Sequence, residues 1–158
     1  MKKIERRTFM KSASAISAFT ILKPGIAFGS KNNSAIRMGF IGCGNRGTGV
    51  ITTMSANTNI NIIALADIFD DKLMLAKKAL NKRNANKGFA DIQKGNIFQG
   101  SNAYLKLLEN SNVDAVLIST PAYAHPEILE AAVSAGKHAY CEKPAATDID
   151  GCKRILKV

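Results

Sequence analysis

The sequence predicts an α/β protein built on a doubly wound parallel sheet, and three observations carry that prediction. An apolar run, Ile36-Arg37-Met38-Gly39-Phe40-Ile41, leads straight into Gly42-x-Gly44-x-x-Gly47, three glycines spaced as at a strand-to-helix turn. A second apolar run, Ile60 to Ala66, ends in Asp67, 20 residues past Gly47. Beyond it, strand-like and helix-like stretches alternate, the pattern of parallel strands joined by right-handed crossovers.

Each glycine has its own physical reason. Gly42 lets the chain turn sharply out of the first strand, and Gly44 lets backbone amides approach a diphosphate. Gly47 lets the following helix, expected over about Thr48 to Ser55, lie close on the strand. The unpaired amides and positive dipole end of that helix then face the phosphates, which places Asn45 and Arg46 among the contacting residues. A bare G-x-G-x-x-G is weak in a chain with 12 glycines, and its position between a strand and a helix is what strengthens it. Asp67, at the tip of the second strand, lies where an adenosine ribose offers its hydroxyls, and its charge repels a 2′-phosphate. NAD is therefore expected in preference to NADP. A plainer reading makes Asp67 the cap of the helix beginning near Asp70.

That helix, Asp70 to Asn81, offers Leu73, Leu75, Ala76 and Leu80 to the sheet. Lys82 to Lys94 is rich in Asn and Lys and reads as a loop, followed by a short strand at Asn96 to Gln99 and a helix at Ala103 to Leu108. Ala115 to Thr120 is the strongest strand, apolar enough to lie inside a parallel sheet, and it stops at Pro121. A helix from near Pro126 to Gly136 carries Ile128, Leu129, Ala132 and Val133, and a strand at His138 to Cys141 leads to Glu142-Lys143-Pro144. A cis bond before Pro144 would aim the lysine inward. Asp148 looks like the cap of a last helix, inside which the chain is expected to stop at Val158.

Residues 1–29 have a different character. Lys2, Lys3, Arg6, Arg7 and Lys11 precede a short, mildly apolar run, Ser12 to Leu22, the layout of a secretory signal and too short to span a bilayer. Glu5-Arg6-Arg7-Thr8-Phe9-Met10-Lys11 fits the twin-arginine export motif, apart from Glu5 where Ser or Thr is usual, and Ala27-Phe28-Gly29 offers a cleavage site. The alternative is a basic amphipathic N-terminal helix. Half of the net charge of +10 belongs to this segment. The remaining cluster, Lys77, Lys78, Lys82, Arg83 and Lys87, has no interleaved aromatics, so it reads as a solvated face and no nucleic-acid partner is expected. Cys43, Cys141 and Cys152 are odd in number and lack metal-ligand spacing, so no metal site is expected.

Taken together, Gly42-x-Gly44-x-x-Gly47, Ala64-Leu65-Ala66-Asp67, Asp114-Ala115-Val116 through Thr120-Pro121, His125, Ala135-Gly136-Lys137-His138 and Cys141-Glu142-Lys143-Pro144 resemble the N-terminal half of the Gfo/Idh/MocA oxidoreductases. The resemblance covers essentially all of residues 35–158, and its exported, twin-arginine members are the nearest likeness. It implies a Rossmann-type domain and an enzyme that moves a hydride between NAD and a sugar, cyclitol or related hydroxyl compound. It also implies that Lys143 sits at the nicotinamide end as the catalytic residue, positioning the substrate and assisting proton transfer at the hydroxyl being oxidised. Such a role asks for burial and nearby positive charge to bring a lysine towards about 7–8. Glu142 would then face the nicotinamide ribose, while Thr120, Pro121 and His125 line the cofactor cleft; capping or a plain surface position is the other reading of His125.

The family completes its site with a second α+β domain, for which residues 1–158 leave no room. The sequence is accordingly expected to be a fragment or a truncated product of a homo-oligomeric enzyme. Two other functions stay open: an NAD-dependent glycosidase working by transient oxidation and elimination, and a non-catalytic nucleotide-binding module.

Overall fold

The computed structural model describes residues 34–158, and its central strand is the one that precedes the glycine turn. The export-signal reading of residues 1–29 lies outside the described residues. β1 (Ile36–Ile41) is flanked by β2 (Ile60–Asp67) and β4 (Ala115–Ile118), with β3 (Ile97–Gln99) and β5 (His138–Cys141) outside them in the order β3-β2-β1-β4-β5. Every strand pair is parallel. After β3 the chain returns to the other side of β1, so the strand order reverses between β1 and β4. The carboxyl ends of strands at such a reversal form the crevice in which open α/β sheets take ligands.

Helices cover both faces. α1 (Asn45–Asn57) and α2 (Asp70–Asn86) bury Ile51, Leu73, Ala76 and Leu80 against Met38, Phe40, Ile62 and Leu117. On the opposite face, α3 (Ala103–Leu108) and α4 (His125–Ser134) bury Leu107, Ile128 and Ala132 against Ile41, Ala66, Val116 and Ile118. Phe40, Ile62, Leu65, Leu117 and Ile118 are fully enclosed, and each such side chain contributes roughly 1.5–3 kcal/mol by leaving water. Together these two faces explain why β1, β2 and β4 are apolar for most of their length.

Several boundaries differ from the expectation. α1 begins at Asn45, inside the glycine motif, and runs to Asn57. β4 ends at Ile118, two residues earlier than expected. Leu75 is exposed, because the stripe that meets the sheet is Leu73, Ala76 and Leu80. α2 runs to Asn86, so the first part of the expected loop is helical. The reason is a pair of asparagines. β3 pairs only with the end of β2, from Leu65 to Asp67, which leaves Ile62 with no strand on its outer edge. The buried Asn84 side chain takes that place, accepting from the Ile62 N–H at 3.3 Å and donating to the Ile62 carbonyl at 2.7 Å and the Ala90 carbonyl at 3.1 Å. Asn81 accepts from the Ile92 N–H at 2.9 Å. Side-chain amides of this kind satisfy backbone groups that would otherwise be orphaned. The basic cluster of α2 and Lys87 lies at exposed or half-buried positions.

The last helix, α5 (Ile149–Ile155), is capped by Asp148, whose carboxylate accepts from the Gly151 N–H at 2.7 Å. It closes at Leu156, before Val158. Among the described residues no helix is long and apolar enough to cross a membrane.

An ion pair ties the start of β1 to the start of β4. Asp114 accepts from Arg37 Nη2 at 2.6 Å, Arg37 Nε at 3.0 Å and the Arg37 N–H at 2.9 Å. The hydrogen bonds from Arg37 hold the Asp114 carboxyl down at about 2. Because the folded value lies below the unfolded one, near 3.9, this contribution is complete above about pH 4 and is lost as pH falls towards about 2. The melting temperature is expected to drop across that window. In Asp114→Asn it should start lower and show a smaller acid-dependent drop, as thermal unfolding followed by circular dichroism would report. Both side chains are well exposed, so screening by water keeps the effect modest.

Candidate functional site

Three strand ends are laced together where the glycine turn begins. The Gly42 N–H donates to the Ala66 carbonyl at 2.9 Å, and the Ser119 N–H donates to the Ile41 carbonyl at 2.8 Å. Gly42 has φ +88°, and a Cβ there would stand 2.6 Å from the Ser119 carbonyl group and 2.7 Å from Thr120 N. Only glycine meets both conditions. At Gly47 a Cβ would stand 2.7 Å from the Gly42 carbonyl oxygen and 2.8 Å from the Phe40 ring, so this glycine sets how closely α1 lies on β1.

Gly44 is different. Nothing lies within 4 Å of a Cβ built there, so the space above the turn is open. Gly44 is also the N-cap of α1, with no side chain capping the helix and no acidic residue in its first turn. The leading amides, over Asn45, Arg46 and Gly47, therefore open onto that space with the positive end of the helix dipole behind them.

Asp67 closes one side of the turn. Its Oδ2 accepts from the Cys43 N–H at 2.6 Å and its Oδ1 from the Phe69 N–H at 2.9 Å. Phe69 is the N-cap of α2, and α2 has no side-chain cap hydrogen bond, so the plainer reading of Asp67 as a helix cap is not what the structure shows. The carboxylate instead holds the glycine turn to the end of β2 and remains half-buried. Burial first and the charge of Asp67 second push the Cys43 thiol up, and its sulfur is packed in the core. The described cysteines are all free.

On the other side of the turn lies a cavity of about 470 Å³ lined by Arg46, Ser119, Thr120, Pro121, Glu142 and Lys143. Glu142 is 6% exposed and is held by Arg46 from the first turn of α1, with Nε at 3.1 Å and Nη2 at 3.0 Å from Oε2. The Glu142 N–H also donates to the Ile118 carbonyl at 2.9 Å, which fixes this residue to the end of β4. Thr120 Oγ1 is buried and has no hydrogen-bond partner among the described residues. Lys143 is exposed at the mouth, so the described residues do not supply the burial expected around it, and its peptide bond to Pro144 is cis. His125 is 1% exposed, and both of its ring nitrogens lie 2.8 Å from backbone carbonyls, those of Pro144 and Thr120. It stands in the wall behind the cleft and offers no free nitrogen to a ligand. The fold thus brings the predicted residues to the adjoining ends of β1, β2 and β4, with Gly42, Gly44, Asn45, Arg46, Gly47 and Asp67 around the turn and Thr120, Pro121, Glu142 and Lys143 beside it.

These features fit a dinucleotide. An open space over Gly44, uncapped helix amides and the guanidinium of Arg46 suit a diphosphate. An unpartnered Thr120 hydroxyl and a carboxylate at each end suit ribose hydroxyls and a carboxamide. Among the described residues no group of His, Cys, Asp and Glu is placed to hold a metal.

Comparison with known proteins settles the family. A family model described as "Oxidoreductase family, NAD-binding Rossmann fold" matches residues 36–158. The chain belongs to the Gfo/Idh/MocA oxidoreductases. Within this family, it is 34% identical over 132 residues to a glycosyl hydrolase family 109 protein of Solibacter usitatus, covering 84% of this chain and 29% of that protein. A glycosyl hydrolase family 109 protein of Bacteroides thetaiotaomicron is 33% identical over 122 residues, covering 77% of this chain and 25% of that protein. The scyllo-inositol dehydrogenase of Lactobacillus casei, solved with NAD(H) and scyllo-inositol, superposes with a TM-score of 0.59 at 25% identity over 78% of this chain and 32% of that one. A 3-ketoreductase of Actinomadura kijaniata, solved with NADP, gives 0.56 at 27% identity over 78% and 34%. The chain therefore spans about a quarter to a third of the length of these relatives, and its residues 36–158 match the family's NAD-binding Rossmann fold.

Sequence reasoning did not find the Arg46–Glu142 pair, the place of Ser119 in the cavity wall or the grip of Asp67 on Cys43. The only signal for the pair was one cation after the first strand and one anion after the last, at ends that a parallel sheet brings to the same edge.

Proposed function

We propose that this chain is the nucleotide-binding half of an NAD-dependent oxidoreductase acting on a hydroxyl of a sugar, cyclitol or related compound. The observation that carries the proposal is that the glycine turn, Asp67 and the lined cavity gather at the adjoining ends of β1, β2 and β4. Nothing lies within 4 Å of a Cβ at Gly44, Asp67 is bound to the turn at Cys43, and Arg46 of the same turn lines the cavity with Thr120, Glu142 and Lys143. Bound there, NAD would supply the hydride acceptor. The residues of this chain would hold it: helix amides and Arg46 at the diphosphate, Asp67 at the adenosine ribose and Glu142 at the nicotinamide ribose. Lys143 would orient the substrate hydroxyl and take or return its proton. Support comes from the inositol dehydrogenase solved with NAD(H) and inositol. The Arg6-Arg7 motif and apolar run of residues 1–29 support export of the protein by the twin-arginine route.

A second reading is favoured by the relatives called glycosyl hydrolase family 109 proteins. There the same hydride step would be transient: the oxidised sugar would lose its aglycone by elimination, water would add in its place, and the hydride would then return, with net hydrolysis. The two separate cleanly in an enzyme form that turns over substrate. NADH accumulating with a free sugar or cyclitol supports the first; cleavage of an aryl glycoside with no net NADH supports the second.

The ribose role of Asp67 is tested on this chain. Asp67→Ala is expected to weaken NAD binding by about 1.5–3 kcal/mol, the scale of hydrogen bonds to a charged group, and to narrow the preference over NADP. Calorimetry with each nucleotide measures both, and an unchanged affinity for NAD would count against the assignment.

A further inference from the structure

Arg46 and Glu142 share their contact unevenly. Arg46 Nε and Nη2 both donate to one carboxylate oxygen, Oε2 of Glu142, at 3.1 and 3.0 Å. Among the described residues the other oxygen, Oε1, has only the Tyr140 hydroxyl at 3.5 Å, the far limit of a hydrogen bond. Glu142 is buried, and its N–H is tied to the Ile118 carbonyl, so the carboxylate has little freedom of its own. Oε2 is taken, and Oε1 is the oxygen left for a ligand. The guanidinium is unevenly used as well. It is a rigid plane with more N–H donors than the two that Glu142 takes. The rest, on Nη1 and Nη2, have no partner among the described residues, and the Arg46 side chain is 71% exposed. Arg46 is also the second residue of α1, so its backbone amide belongs to the uncapped first turn. It lines two cavities together with Glu142: the one shared with Thr120 and Lys143, and a second of about 500 Å³ lined by α1 and Tyr140.

We infer that Arg46 is the positioning residue of Glu142 and bridges the two ends of the site: one edge of its guanidinium holds Oε2, while the other takes the diphosphate. Gripping the phosphates and presenting Oε1 to the nicotinamide end are then one event. The inference rests on the NAD-binding reading and goes beyond it by coupling two contacts that the reading treats separately. Lysine cannot take the place of arginine here. Its ammonium is a point charge on a flexible stem, able to serve a phosphate but not to fix the plane of a carboxylate at the same time. Replacing Arg46 also leaves the buried Glu142 carboxylate without its charged partner, free to turn towards the Tyr140 hydroxyl and away from a ligand.

The test is a double-mutant cycle read with two ligands, NAD and ADP, by calorimetry. ADP carries the adenosine and the diphosphate but lacks the nicotinamide end. Arg46→Lys is expected to weaken both, and NAD by about tenfold more than ADP, the scale of one hydrogen bond to a charged group. In a Glu142→Gln background there is no carboxylate to position, and the same replacement should weaken NAD and ADP by equal factors. The cycle is then coupled for NAD and additive for ADP. Arg46→Gln is the second variant. It removes the charge, so ADP suffers more, but the additional loss for NAD must again vanish beside Glu142→Gln. Circular dichroism of every variant keeps misfolding out of the comparison. Equal weakening of NAD and ADP by Arg46→Lys alone overturns the bridge, since Arg46 then serves the phosphates only. An additional NAD loss that persists beside Glu142→Gln overturns it too, since Arg46 then does not act through Glu142. In both of these cases NAD still binds the parent chain and the NAD-binding reading stands. A parent chain that binds neither nucleotide overturns that reading, and the bridge with it.

Discussion

Replacing Gly42 by alanine is expected to destabilise the chain by about 2–5 kcal/mol and to abolish measurable NAD binding. Two terms add. A side chain in the left-handed region costs about 1–2 kcal/mol, and crowding a packed site costs about 1–3 kcal/mol more. Both apply here, because φ is +88° and the new Cβ would meet the Ser119 and Thr120 backbone at 2.6–2.7 Å. Neither obstacle is a flexible side chain that can swing away. The turn would have to move, and with it the amides of α1 and the Asp67 contact to Cys43. Gly44→Ala is the matched control. Its backbone is extended and nothing lies within 4 Å of the new methyl, so folding should be unaffected while the methyl narrows the space into which a diphosphate must come. Urea unfolding and calorimetry on the two variants should therefore separate. Gly42→Ala loses stability and binding together, whereas Gly44→Ala loses binding alone.

Lys143→Ala should lower turnover by about 10²–10⁴, the usual reach of a positioned proton-transfer group, in an enzyme form that acts on its substrate. Affinity for NAD should stay within about twofold, since exposed substitutions seldom disturb their surroundings by more than about 0.5 kcal/mol. Lys143 is exposed and makes no hydrogen bond or ion pair with the described residues, so its removal leaves the cleft walls standing. Steady-state kinetics on the variant, beside an NAD titration, measures both quantities. Undiminished turnover would remove Lys143 from the chemistry. A parallel fall in NAD affinity would move it from proton transfer to cofactor binding.

The strands and the order in which they alternate with helices were legible, because parallel strands covered on both faces leave unbroken apolar runs such as Ala115 to Ile118. Gly42, Gly44 and Gly47 were legible too, since backbone geometry there admits few residue types. Polar side chains with structural work were not. Asn84 sits in a stretch whose composition says loop, yet its amide stands in for a missing strand beside Ile62. His125 carries no local sign that two carbonyls enclose it, one of them 19 residues away. Arg46 and Glu142 are 96 residues apart, and only the folded sheet edge brings them together. Periodicity reports what a residue buries, while pairing across the sheet is decided by topology.

The most direct test of the central claim is to titrate NAD into the ¹⁵N-labelled chain and follow the backbone amides. Gripping of the diphosphate at the opening of α1 predicts saturable shifts concentrated at Gly44, Asn45, Arg46 and Gly47, with smaller ones at Asp67, Thr120 and Glu142. Shifts absent there, or gathered on another face of the sheet, would contradict it.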